Sequence, residues 1–170
     1  IDMVYILDPE PLYQVERLIH NAVRQRKVMQ VRSLLTAAPR SLRKRVKAMA
    51  LAAAALTQQE PLIITLKRSI SVDEDQGWGW RPLYMTALRG EEKAMQLLLT
   101  HGANPNLKTD AGITPLLQAA EGGRPNLIRL LLGYGADIEE RDPMGHTALQ
   151  VAARCGQGTT VVALLEGGAN

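Results

Sequence analysis

The chain has few of the residues that stabilise small extracellular folds or build metal sites. It contains one cysteine, Cys155, among 170 residues, so neither an internal disulfide nor a zinc site with several cysteines can form. It contains no phenylalanine, and aromatic residues make up only 4% of it. The core must therefore consist mainly of Ala, Leu and Val, which suits closely spaced helices better than sheets.

Long apolar segments are also absent. The longest apolar run covers residues 48–56, whereas a membrane-spanning helix needs about 20 such residues. Neither a secretory signal nor a glycosylation sequon is visible in the sequence. We therefore expect an intracellular protein, cytoplasmic or nuclear. Because the chain begins at Ile1 rather than at Met, we also expect it to be a fragment or a processed product of a longer protein.

The net charge of +3 conceals two regions of opposite sign. Residues 1–70 contain 12 Lys and Arg against 5 Asp and Glu, whereas residues 71–170 contain 8 against 12. The two regions must therefore present different surfaces. With 46% hydrophobic residues, the chain has enough apolar side chains for a sizeable core.

Residues of the same type recur at a spacing of 33 along the second region of the chain. A constant period of this size indicates a fold made of structural repeats. The matching series are Gly79, Gly112 and Gly145; Leu83, Leu116 and Leu149; Ala87, Ala120 and Ala153; Gly90, Gly123 and Gly156; Leu98, Leu131 and Leu164; Gly102, Gly135 and Gly168.

Each period has the pattern of two short helices joined by a turn. Thr114 and Thr147 precede candidate helix starts, where a hydroxyl can cap free backbone amides. Pro115 then falls on the first helical position, which tolerates proline. The recurring glycines close the helices, because glycine readily adopts the left-handed conformation. The polar stretches 104–110 and 137–143 predict an extended loop or hairpin between units.

Two motifs carry a resemblance to a known family. Residues 112–120 read Gly-Ile-Thr-Pro-Leu-Leu-Gln-Ala-Ala, and residues 130–137 read Leu-Leu-Leu-Gly-Tyr-Gly-Ala-Asp. The first motif recurs at 145–153 and, more loosely, at 79–87. Over residues 79–170 the sequence resembles the ankyrin-repeat family.

The resemblance implies an all-α solenoid of stacked helix-turn-helix repeats. It also implies a protein-binding scaffold or adaptor that is not an enzyme and carries no cofactor. The clear repeats are expected at about 71–103, 104–136 and 137–170.

The motif departs from the family at several positions. Arg81 stands where the family has a capping Thr, and Ala148 stands where it has Pro. Tyr84, Leu117 and Gln150 occupy the position where the family usually has His. Some of the hydrogen bonds that Thr and His share in the family are therefore expected to be absent.

Residues 1–70 are interpreted as two diverged repeats, and an unrelated helical hairpin that caps the stack is the alternative. One helix is predicted over residues 41–56, and a second from Pro61 to about Ser69. In this alignment Ala54 matches Ala87, and Ile64 and Leu66 match Leu97 and Leu99 at the 33-residue spacing. The first of the two diverged repeats begins at Ala22 and Val23, and its apolar residues have the same spacing as those of residues 119–134.

The resemblance also implies where a partner protein binds, namely at loop tips and at exposed first-helix positions. Trp78 and Trp80 are the most distinctive of these residues, because exposed Trp beside Arg is typical of interface hot spots. The alternative is that at least one Trp folds onto the preceding unit. The full set is Trp78, Trp80, Arg89, Asp110, Ile113, Glu121, Met144, His146 and Arg154.

A basic run occupies residues 40–47, at the start of the long predicted helix. The helix dipole disfavours cations at that end, so a functional reason is worth considering. A nuclear-import signal is one possibility, and an anionic partner such as nucleic acid or a membrane surface is another. A solvated helix face is the third. The cations are Arg40, Arg43, Lys44, Arg45 and Lys47.

No set of residues has the pattern of a catalytic site or a metal site. His20, His101 and His146 fall in different units, and His101 is expected to bond a helix end. His146 and Cys155 lack a third orienting group, which an active nucleophile requires. We therefore predict a protein without enzymatic activity, bound metal or cofactor.

The last predicted helix, residues 160–166, carries apolar residues of the kind found inside a stack. We expect further repeats, another domain or a partner to cover it, because terminal repeats normally have a polar outer face.

Overall fold

The computed structural model describes residues 17–19, 21–25, 28–37, 43–67, 73 and 81–170. Within these ranges all regular secondary structure is helical, apart from one isolated bridge between Arg141 and Thr147. The all-α prediction is therefore confirmed. The helices are α1 (Val28–Ala37), α2 (Arg43–Leu56), α3 (Glu60–Lys67), α4 (Pro82–Arg89), α5 (Glu92–Thr100), α6 (Pro115–Glu121), α7 (Pro125–Gly133), α8 (Ala148–Arg154) and α9 (Gly158–Glu166); residues 17–19 and 21–24 are also helical.

The helices from α4 onward form two layers. Each helix pair, α4–α5, α6–α7 and α8–α9, packs together. The first helices α4, α6 and α8 lie side by side, and so do the second helices α5, α7 and α9. This arrangement is the predicted solenoid of stacked helix pairs.

Side-chain caps form where the sequence predicts them. Thr114 accepts a hydrogen bond from the backbone amide of Leu117 at the start of α6. Thr147 and Gln150 form a reciprocal capping box at the start of α8. Arg81 provides no side-chain cap for α4. Its guanidinium instead donates to the backbone carbonyls of Lys108 and Asp73.

The core runs along the interface between the two layers. Met95, Leu98, Ile128, Leu131 and Leu164 are fully buried, and they come from the second helices of three successive units. Burial of each such side chain stabilises the fold by about 1.5–3 kcal/mol. Every pair of neighbouring units therefore shares one continuous apolar interface.

Hydrogen bonds with the same spacing connect successive units outside the core. Asp73 accepts from the backbone amide of Asn104 at 3.0 Å, and Asn106 accepts from that of Asp137 at 2.7 Å. Glu139 accepts from the backbone amide of Asn170 at 2.9 Å. The acceptors lie at equivalent positions, so polar side chains fix the rotation of each unit relative to the next.

The turn between α2 and α3 corrects the predicted alignment. The amide of Gln58 donates to the Ala55 carbonyl, as the amide of Gly90 does to the Ala87 carbonyl. Gln58 also has a positive φ of 56°, where Gly90 has 75°. The spacing between these two units is therefore 32 residues, and the alignment at 33 was wrong by one residue.

Burial in α3 agrees with the shorter spacing. Ile63 and Leu66 are buried and match the buried Met95 and Leu98, whereas Ile64 is 46% exposed. The two predicted helices themselves are confirmed, with α2 ending at Leu56 and α3 beginning at Glu60. Ser41 and Ser69 lie outside the described residues. Whether residues 1–70 form true repeats stays a prediction.

The outer side of α9 is apolar, as predicted. Val162 is 51% exposed and Leu165 is 53% exposed. The equivalent residue Leu99 is buried at 4% exposure, because the following unit covers it. Which structure covers α9 stays a prediction.

Candidate functional site

Two tight turns project between the helix pairs, and we call them the hairpin tips. The first tip comprises residues 109–113, and the second comprises residues 142–146. In the first, the amide of Thr109 donates to the Ile113 carbonyl and the amide of Gly112 donates to the Thr109 carbonyl. The amides of Asp142 and Gly145 make the same two bonds in the second. The two predicted loops therefore share one pattern of backbone hydrogen bonds.

Asp142 holds the second tip together. Its carboxylate accepts from the backbone amides of His146 at 2.8 Å and Met144 at 2.9 Å. It also lies 3.3 Å from Nδ1 of the His146 ring. The bond from the His146 amide, with smaller contributions from the ring and from Met144, lowers the pKa of Asp142 below its ordinary value. The anionic carboxylate is thus the form that stabilises the turn.

The hairpin tips also contact one another. A Cβ atom on Gly112 would lie 2.9 Å from Cγ of Pro143, so the second tip packs closely over the first. A Cβ atom on Gly145 would meet no described atom within 4 Å. The second tip therefore covers the first at Gly112, whereas the space beside Gly145 is open.

The side chains on the tips differ in their exposure to solvent. Met144 is 75% exposed, and Asp110 is also exposed. Ile113 is half-buried and packs against the core. His146 is half-exposed and faces Asp142. Met144 is consequently the main apolar contact that the two tips offer.

A second set of exposed residues lies where the first helices end. We call it the turn strip. Its members come from α4, α6, α8 and the turn before α7, and they are Leu88, Arg89, Glu121, Arg124 and Arg154.

Packing between units brings this set together. Leu88, Glu121 and Arg154 lie at equivalent positions on helices that pack side by side. The guanidinium of Arg124 lies over Gly90, which is the residue between Arg89 and Glu91 in the preceding unit. The turn strip therefore runs across all three units.

The sequence analysis missed two members of the turn strip. Leu88 is 41% exposed and could have been found, because a step of 33 from Glu121 leads to it. Arg124 precedes a helix start, and only the packing of neighbouring units places it over Gly90. No pattern in the sequence signals that contact.

A chain of hydrogen bonds positions Glu121 within the turn strip. The hydroxyl of Tyr84 donates to Oε1 of Gln118 at 2.8 Å. The side-chain amide of Gln118 then donates to the Glu121 carboxylate at 3.2 Å. Burial, with the nearby Glu121 charge, raises the pKa of Tyr84 above its ordinary value. Tyr84 is therefore a neutral donor at the position where the family has His, and its hydroxyl bonds to a side chain of the next unit.

Several predicted site residues are not described by the structure. Trp78, Trp80 and Arg40 lie outside the described residues. The remaining basic residues fall in the first two turns of α2, where Lys47 is half-exposed. They are Arg43, Lys44, Arg45 and Lys47.

Among the described residues, no cluster of His, Cys, Asp or Glu could hold a metal ion. Cys155 is exposed. Nδ1 of His101 lies 2.9 Å from the Leu97 carbonyl, which confirms that it bonds a helix end. None of the described helices is both long enough and apolar enough to cross a membrane.

Comparison with known proteins agrees with this geometry. Residues 86–170 match the sequence profile for ankyrin repeats, in three copies. A search of curated proteins found no match. Ankyrin repeats are generally protein–protein interaction modules, and the family is typically non-enzymatic. The matched residues run from the second half of α4 to the end of the chain, and the chain belongs to the ankyrin-repeat family.

Proposed function

We propose that this chain is an adaptor or scaffold that holds a partner protein along its hairpin tips and turn strip. The observation that carries the proposal is the regular placement of exposed side chains on a stiff stack. Backbone amides of the following unit donate to the side chains of Asn106 and Glu139, and these hydrogen bonds fix neighbouring units. A surface that is already ordered loses little conformational entropy when it binds, which favours affinity.

Among the described residues of this surface, Met144 has the most exposed apolar side chain. An exposed Met on a fixed turn suits contact with apolar partner side chains, because its flexible thioether adapts to their shape. A step of 33 back from Met144 leads to Ala111 and then to Trp78. We propose that Trp78 and Trp80 extend the same row as hot-spot residues.

We also propose that the stack contains five units, with two diverged repeats over residues 1–70. Ile19, Ala22 and Val23 are buried like Leu116, Ala119 and Ala120, which supports this division.

A cross-unit contact supports it as well. The side-chain amide of Gln59 donates to the backbone carbonyl of Val23. The side-chain amide of Gln157 donates in a similar way to the backbone carbonyl of Glu121, at the boundary between the last two clear units. The three clear repeats are proposed at about 71–103, 104–136 and 137–170.

Site-specific photo-crosslinking tests the proposed binding surface. A photoreactive amino acid replaces Met144 in one variant and Lys93 in a control variant, since Lys93 is exposed on the second-helix layer. We expect proteins crosslinked from position 144 that are absent from position 93. The same crosslinks from both positions, or none from position 144, would overturn the proposal. Loss of crosslinks from position 144 after Trp78→Ala and Trp80→Ala would extend the surface to the two tryptophans.

A further inference from the structure

We propose that the outer side of α9 binds a second copy of this chain, so that two copies associate through their last helices. The contact is made by one row of apolar residues, which we call the α9 stripe. Its members follow one another at spacings of three, one and three residues, which places them on one face of a helix. They are Gly158, Val161, Val162 and Leu165.

The α9 stripe is open to solvent along most of its length. Val162 is 51% exposed and Leu165 is 53% exposed, whereas Val161 is half-buried. Gly158 is exposed as well. Apart from its chain neighbours and its own helix backbone, nothing described lies within 4 Å of a Cβ atom added to it. Two helical turns of exposed apolar surface are of the kind through which helices pair.

Stacking of a further repeat would leave part of the α9 stripe uncovered. Gln96 of α5 and Arg129 of α7 occupy the position of Val162, and both are exposed although another unit follows each of them. Stacking covers a different position, as at Leu99, the buried counterpart of Leu165. Val162 is therefore an apolar residue at a position that stacking leaves open, and its burial requires another kind of contact.

The α9 stripe also differs from its counterparts in charge. The corresponding row of α5 includes Glu92 and Gln96, and that of α7 includes Arg129, whereas the α9 stripe has no polar side chain. Glu166 is the one charged residue of α9, and it already pairs with Arg129 at 3.2 Å. Two α9 helices can therefore pair without bringing an uncompensated charge of α9 into the contact.

The α9 stripe is complementary to itself in an antiparallel pair, because its spacing reads the same in both directions. With a two-fold axis between Val161 and Val162, each of these residues faces the other one in the second copy. Leu165 of one copy then faces Gly158 of the other, where the missing side chain leaves room for it. A parallel pair would instead place leucine against leucine and Glu166 against Glu166. Helix dipoles also favour the antiparallel pair.

The contact is small, so the association should be weak. Each α9 has nine residues, and a pair of such helices buries well under the about 1,200 Å² of a stable interface. We expect a dissociation constant on the order of 100 µM. A two-fold contact closes after two copies. No residue of the hairpin tips or the turn strip belongs to α9, so the dimer presents the proposed binding surface twice.

Sedimentation equilibrium of the full chain, from about 10 µM to about 1 mM, tests the proposal. We expect the average mass to rise with concentration from that of one chain toward that of two. Val162→Lys should weaken association by at least about tenfold, because two like charges then meet near the axis. Gln96→Lys adds the same charge at the equivalent exposed position of α5, and it should change association by less than about twofold.

Gly158→Leu distinguishes the proposed pairing from unspecific apolar contact. A leucine at this position fills the space that receives Leu165 of the second copy, so we expect association to weaken. Unspecific contact would instead strengthen with the added apolar side chain. Circular dichroism melting at about 10 µM, where the chain is mainly monomeric, verifies that each variant remains folded.

Four results would overturn the proposal. A single-chain mass at every concentration would leave α9 to a further repeat or to another protein. Masses beyond that of two copies would indicate open-ended stacking. Equal effects of Val162→Lys and Gln96→Lys would place the contact elsewhere, and stronger association of Gly158→Leu would exclude the antiparallel pairing. None of these results bears on the crosslinks from position 144, which test the proposed function separately.

Discussion

The two regions of this molecule build helix pairs with different residues. From α4 onward, threonine caps and glycine turns recur at a constant spacing, and the tips and cross-unit hydrogen bonds recur with them. The earlier region has none of these glycines in its described residues, and it relies on the alanine-rich helix α2. Burial nevertheless follows a similar order in both regions. The spacing of buried side chains therefore persists where the turn residues have changed.

The regions also differ in how their helices meet. From α4 onward, first helices pack on first helices and second helices pack on second helices. In contrast, α2 has 14 residues and packs against both α4 and α5. Its buried alanines, Ala50 and Ala54 among them, permit a close approach. Small side chains thus allow one long helix to contact both layers of the next unit.

The largest expected effect on the free energy of unfolding comes from truncating one buried leucine in each region. Leu131→Ala in α7 and Leu66→Ala in α3 should each lower the free energy of unfolding by about 2–5 kcal/mol, because each leaves a cavity. Leu165→Ala, at an exposed position, should change it by less than about 0.5 kcal/mol. Urea denaturation measures all three. A negligible effect of Leu66→Ala would separate the earlier region from the stack.

A smaller effect distinguishes the two hairpin tips. Gly112→Ala and Gly145→Ala both place a side chain at positive φ, of 77° and 87°, which costs about 1–2 kcal/mol. Gly112→Ala also brings Cβ against Pro143, so its loss should be larger by about 1 kcal/mol. Thermal unfolding of the two variants tests this difference. Equal losses would show that the tips do not pack against each other.

An opposite effect is expected at the turn of the earlier region. Gln58 has a positive φ of 56° without being glycine, so Gln58→Gly should raise the free energy of unfolding by about 0.5–1 kcal/mol. Gly156→Ala is the reverse change at an equivalent turn with open space around it, and it should lower stability by about 1 kcal/mol. Destabilisation by Gln58→Gly would refute the corrected 32-residue spacing.

The smallest effect concerns pH and the second hairpin tip. The folded-state pKa of Asp142 is lowered, so its contribution is present above the unfolded pKa and disappears as pH falls through the folded value. Asp142→Asn should therefore destabilise the protein at pH 7 more than at pH 3. Chemical denaturation at the two pH values measures this, and Asp110→Asn on the other tip is the control. A pH-independent loss would mean that the charge does not matter.

Much of the architecture was predictable from the sequence because its signals are local. A cap such as Thr114 requires only the backbone amide three residues later, and a recurring glycine closes its own helix. The 33-residue period predicted which residues share a position, and it placed Leu131 and Leu164 in the core. The same period misaligned the residues around Gln58 by one position. The sequence gives no sign that this glutamine adopts the positive φ that is usual for glycine.

The proposed binding surface was predictable only in part. The resemblance to ankyrin repeats led us to expect Arg89, Glu121, Met144 and Arg154 at exposed positions, and all four side chains are exposed in the structure. The position of the Arg124 guanidinium over Gly90 depends on residues from two units that meet only after stacking. Periodicity in the amino acids thus dictated the helices, their order and their buried face. The alignment of charges across units came from packing, because contacts between side chains distant along the chain arise only in three dimensions.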